Sequence, residues 1–107
     1  MDGVLRHVVM FCFKAGTGKE TIGEIEAAFA GLQGKIEEIR DFEWGTDVSV
    51  EGKANGFSHC FLVTFGSEKD RGTYLPHPAH QEFVALVRPH VEKSLVLDFW
   101  ARQLKEF

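Results

Sequence analysis

The run Arg6-His7-Val8-Val9-Met10-Phe11-Cys12-Phe13-Lys14 constrains this chain more than any other feature. It is rich in Val and Phe and reads as a β-strand. Alternate side chains of a strand take opposite faces. His7, Val9, Phe11 and Phe13 then share one face, and Val8, Met10 and Cys12 the other. Both sets are apolar, so the strand must be covered on both sides.

The rest of the chain supplies the elements that could cover it. Ala15 to Gly18 is a loop, and Lys19 to Leu32 has helical periodicity, with Ile22, Ile25, Phe29 and Leu32 spaced by three and four. Thr17 or Thr21 is the expected cap, and Gly31 and Gly34 mark the end. A second strand begins near Ile39. Its apolar residues Ile39, Phe42, Trp44 and Val48 do not alternate strictly, so a bulge or twist is expected. Ser49 to Gly56 is a polar loop closing on Asn55-Gly56.

Phe57 to Phe65 alternates cleanly and is the clearest strand. Ser67, three residues before Asp70, starts a short helix through Tyr74, which Pro76 and Pro78 stop. Ala79 to Val87 is helical again. Val91 to Trp100 is a last strand, with Val91, Leu95, Leu97 and Phe99 set against Val96 and Trp100. Ala101 to Phe107 reads as a tail or a short interface arm.

The order β-α-β-β-α-β is that of a split βαβ unit, an α+β ferredoxin-like fold. It forms a four-stranded antiparallel sheet with both helices on one face. No element remains for the other face, where Val8, Met10, Cys12 and Leu62 lie. A second copy packed sheet to sheet would cover it, giving a homodimer, a dimeric α/β barrel. The 107 residues fit one domain with a core of limited size.

Composition narrows function by exclusion. Ten Phe, two Trp and one Tyr imply aromatic core, pocket or interface. The net charge is −4 with the signs interspersed and no basic stripe, which argues against nucleic acid. No run approaches the ~20 apolar residues of a membrane span, and no signal peptide precedes the first strand, so the expected location is cytoplasmic. Cys12 and Cys60 sit in apolar strands and read as buried reduced thiols, with a disulfide between neighbouring strands as the alternative. No phosphate loop, nucleophile elbow or dinucleotide fingerprint is present, so no cofactor is implied.

Two groups of residues carry possible chemistry. His7 and His59 fall on strands that the topology makes neighbours. On the helix-covered face they would meet in one apolar cavity, where imidazoles move protons or polarise a carbonyl. The alternative is that each is a hydrogen-bonded core residue. Tyr74-Leu-Pro-His77-Pro-Ala-His80 is a bend stiffened by prolines, from which Tyr74 and His80 can enter one space as phenol and imidazole. The alternative is that they only pin the bend. A metal is not expected, because His77-x-x-His80 spans a proline and the two cysteines complete no zinc pattern.

Together His7 to Lys14, Trp44-Gly45, Gly56-Phe57-Ser58-His59 and Tyr74-x-x-His77-Pro78-x-His80 resemble the stress-responsive A/B barrel family over nearly the whole chain. The resemblance implies a ferredoxin-like homodimer with a central barrel, and no single activity. A plant branch contains polyketide cyclases that close a ring by metal-free aldol chemistry. By that resemblance Tyr74 and His80 are the catalytic pair, and His7 and His59 line the same pocket. Phe29 departs from that branch, where a polar aromatic is expected.

The combined expectation is a pocket between sheet and helices lined by His7, Val9, Phe11, Phe29, His59, Phe61 and Phe83. It would bind a small aromatic or polyketide-like molecule. As an enzyme, His80 is the base, Tyr74 assists, and His7 or His59 polarises a carbonyl. The rival expectation is a stress-protective structural protein. A cofactor-free monooxygenase rests on fold analogy alone.

Overall fold

The computed structural model describes residues 3–102. Strand β1 (Leu5–Phe13) leads to helix α1 (Lys19–Gly31), which tightens into a 3-10 turn at Leu32–Gly34. Strands β2 (Asp41–Thr46) and β3 (His59–Phe65) follow, then helices α2 (Glu68–Tyr74) and α3 (Pro78–Val87), a 3-10 turn at Arg88–His90, and strand β4 (Val91–Trp100). The expected tail lies outside the described residues from 103 onward.

The sheet order is β2-β3-β1-β4 and every pairing is antiparallel. The two halves of the chain thus interleave, with β1 and β3 in the centre. The register sets Phe11 opposite His59, Val9 opposite Phe61 and His7 opposite Val63. On the other flank His7 faces Asp98 and Val9 faces Val96. These side chains point toward the helices, where Ile25 and Phe29 of α1, Phe83 and Val87 of α3, and Tyr74 close a continuous core.

The opposite sheet face carries no helix. Met10, Cys60, Leu62, Leu95 and Leu97 share it by register. Leu97 is 59% and Phe99 44% exposed. Val8, flanked by Leu62 and Leu97, is the one β1 side chain on this face that the protomer buries by itself.

Local capping explains the helix starts. Ser67 Oγ accepts from the Asp70 N–H at 3.1 Å and caps α2. His77 Nδ1 accepts from the Ala79 N–H at 3.0 Å and caps α3, with Pro78 at the first helical position, where no N–H is needed.

Four expectations are corrected. Neither Thr17 nor Thr21 caps α1: Gly18 holds that position, and Thr17 Oγ1 instead donates to the Lys14 carbonyl. β2 pairs without a bulge; the register shift falls in β1, between Cys12 and Phe13. Ile39 and Val48 lie outside β2, one buried before it and one exposed after it, which is why the apparent alternation failed. Cys60 is exposed on the bare face rather than buried, and Cys12 is half-buried; both are free thiols. At the loop tip Asn55 and Gly56 both have positive φ, and a Cβ at Gly56 would come within 3.3 Å of Cys12 Sγ.

Candidate functional site

A cavity of about 660 Å³ opens between β1, β4 and the two C-terminal helices. β1 supplies His7, Val9 and Phe11 to its floor, α1 supplies Phe29, and α3 supplies His80, Phe83, Val84 and Val87. Arg71 and Tyr74 enter from α2, one helical turn apart, and Val96 and Asp98 from β4.

The polar end is a connected cluster. His7 Nδ1 lies 2.6 Å from Asp98 Oδ1. A carboxylate only accepts, so His7 carries its proton on Nδ1 and turns Nε2 elsewhere. The other carboxylate oxygen of Asp98 accepts from Arg71 at 2.8 Å. The His7 and Tyr74 rings meet edge to face at 5.8 Å, and the Tyr74 and His80 rings lie 4.4 Å apart.

Tyr74 is fully buried, and its hydroxyl has no partner among the described residues. Burial raises its pKa well above the ordinary phenol value, so it stays protonated and acts as a donor. His80 is held differently. Its Nδ1 is 2.8 Å from the Leu75 carbonyl, which also accepts from Gln81 Nε2 at 2.9 Å. A carbonyl cannot donate, so Nδ1 bears the hydrogen and the Nε2 lone pair is free. Burial pulls the His80 pKa below 6.5; the bond to Leu75 opposes this, and His7 and His77 add to it. A neutral base thus stands beside an unpartnered acid.

The apolar end is built from phenylalanines. Phe29 packs against Phe83 at 4.4 Å and against Phe11 at 6.1 Å.

Two of the expected pocket residues fall elsewhere. His59 shares the face of His7 but sits opposite Phe11, four residues along β1, which is roughly 13 Å away. The two imidazoles therefore do not meet. His59 Nε2 lies 2.7 Å from Glu26 Oε2, Ser58 Oγ is 2.8 Å from its Nδ1, and Trp44 stacks on its ring. Its hydrogen-bonding needs are met there. Phe61 is fully buried under Phe29 at 4.5 Å and does not line the cavity.

Arg71, Asp98 and Glu26 escaped the sequence reading. Their partners lie 27, 91 and 33 residues away, so only strand register, for His7 and Asp98, and helix packing on the sheet, for Arg71 and Glu26, bring them together. Asp98 alone left a trace, as an acid inside the apolar run Leu95 to Trp100. Among the described residues no three His, Cys, Asp or Glu side chains converge as a metal-ligand set.

Comparison with known proteins agrees with this fold. The chain is 38% identical over 97 residues to the stress-response A/B barrel domain-containing protein HS1 of Arabidopsis thaliana, covering 91% of this chain and 89% of that protein. It is 30% identical over 99 residues to olivetolic acid cyclase of Cannabis sativa, covering 92% and 98% respectively. Among solved structures, the hydroxynitrile lyase from Passiflora edulis superposes with a TM-score of 0.91 at 30% identity, over 99% of this chain and all of that one. The model of the stress-responsive A/B barrel domain matches residues 5–101, and the chain is a member of that family.

Proposed function

We propose that the cavity binds a small aromatic or polyketide-like carbonyl compound and moves protons on it without a metal, with Tyr74 and His80 as the catalytic pair. The observation that carries this reading is the Tyr74 hydroxyl, buried and unpartnered beside a histidine whose free nitrogen is a base. A buried hydroxyl left without a partner costs about 1–3 kcal/mol. A ligand carbonyl oxygen entering the cavity would accept from it and remove that cost.

The chemistry follows from the two groups. Tyr74 O–H donates to the carbonyl oxygen, which acidifies the adjacent C–H. His80 Nε2 takes that proton, and the resulting enolate oxygen is stabilised by Tyr74. The carbanion can then attack a second carbonyl of the same molecule, and His80 returns its proton to the new alkoxide. His7, fixed by Asp98, faces Tyr74 from the strand side. Two relatives bear the names of enzymes, a cyclase and a lyase, which favours a chemical role over a purely structural one.

The bare sheet face supports assembly as a homodimer. A four-stranded sheet with two edges is not a closed barrel, and exposed apolar side chains in a patch mark an interface. A second copy would cover Leu97 and Phe99.

The test is a turnover screen of short aromatic ketides and β-keto compounds with the full chain, beside His80→Gln and Tyr74→Phe. Turnover lost by about a hundredfold or more in both variants is expected. Wild-type turnover that neither substitution changes would remove these residues from the role.

A further inference from the structure

The cavity is polar at one end and apolar at the other, and the two ends are arranged along one strand. His7, Val9 and Phe11 succeed one another on the inward face of β1. Around His7 gather Arg71, Tyr74, His80 and Asp98; around Phe11 gather Phe29 and Phe83. The distance between the ends is roughly 13 Å along the strand, enough for one ring with a polar head. An amphipathic ligand would therefore fit in one direction only.

The donors at the polar end indicate what the head is. A guanidinium has five N–H groups and no acceptor. Among the described residues Arg71 makes one side-chain hydrogen bond, to Asp98 Oδ2, so four N–H groups remain on a half-buried side chain in the cavity wall. Asp98 already accepts from His7 on one oxygen and Arg71 on the other. The second donor without a partner is Tyr74 O–H. Arg88, Glu92 and Lys93 also line the cavity and add two positive charges and one negative. A ketone or amide oxygen would satisfy one of these donors. A carboxylate offers two oxygens and matches the planar guanidinium fork while also reaching the phenol.

Resting on the cavity proposed above, we infer that its preferred ligands are small aromatic or ketide carboxylates, with Arg71 as the residue that selects the acid. The experiment is calorimetric titration of the full chain at pH 7 with benzoate, phenylacetate and 3-phenylpropionate, each beside its uncharged amide. At least one acid is expected to bind tenfold or more tightly than its amide. Arg71→Gln, which keeps an N–H for Asp98 and drops the charge, is expected to erase that preference; Arg71→Lys is expected to retain part of it. An unchanged thermal midpoint in Arg71→Gln verifies the fold, and Arg71→Met serves if the glutamine variant does not fold. Acids and amides binding alike in the wild type would overturn the inference and leave the cavity reading standing, as would a preference surviving in Arg71→Gln. Binding of neither class would overturn both.

Discussion

The Nδ1 of His80 lies 2.8 Å from the carbonyl oxygen of Leu75, five residues earlier and across the proline-stiffened bend. That bond engages Nδ1 and leaves Nε2 as the base, and it ties the orientation of the ring to the conformation of residues 75–80. Because His80 is depressed below 6.5 chiefly by burial, the fold favours its neutral form. The unfolded chain then binds more protons near pH 6 than the folded one, so stability rises with pH there. The His80 contribution is complete above pH 6.5 and is lost as the pH falls below it. An NMR titration of the His80 ring is expected to give a midpoint below 6.5, and His80→Gln is expected to flatten the thermal midpoint between pH 7 and pH 5.

Tyr74→Phe separates binding from stability. The hydroxyl it removes has no partner among the described residues. Stability is expected to rise by about 1 kcal/mol, because a buried unsatisfied donor disappears while the ring packing against Phe65 at 4.9 Å is kept. Urea denaturation measures this. A loss of stability would mean that the hydroxyl has a partner in solution.

Phe29 joins the cavity to the core, touching Phe42, Phe61 and Phe83 at ring separations of 4.4 to 5.2 Å. Phe29→Ala is expected to cost about 3–5 kcal/mol in chemical denaturation, through lost burial and the void left among three rings.

On the bare face, Leu97→Lys replaces an exposed side chain and should leave the protomer intact. Light scattering is expected to find the wild type as a dimer and this variant as a monomer at micromolar concentration, since a charge in an apolar interface is costly to desolvate. A wild type that scatters as a monomer would end the sheet-to-sheet assembly.

The legible parts of this fold were those decided locally. β4 runs from Val91 to Trp100, as expected, because Pro89 bounds it and Leu95, Val96, Leu97, Phe99 and Trp100 supply a dense apolar run. The Ser67 cap was visible as a hydroxyl three residues before Asp70. Gly18 at the start of α1 was missed because two nearby threonines offered a stronger capping signal, while a local turn directs the Thr17 hydroxyl back to the Lys14 carbonyl. In the site, Tyr74 and His80 were readable because one bend holds both. The separation of His7 from His59 was not, since residues on neighbouring strands are placed by register and not by type. The same holds for Asp98, which meets His7 only because the register sets the two opposite each other.

β4 carries two unrelated duties on alternating residues: Val96 and Asp98 turn inward, Leu95 and Leu97 outward. Its alignment is clasped at both ends, by the Lys14 N–H on the His90 carbonyl and the Ala101 N–H on the Val4 carbonyl. Deleting or inserting one residue between those clasps would swap the two sets. Leucines would then fill the space around His7, and a lone aspartate would stand in the greasy patch, so a single-codon length change would abolish the proposed ligand recognition and the proposed self-association in one stroke.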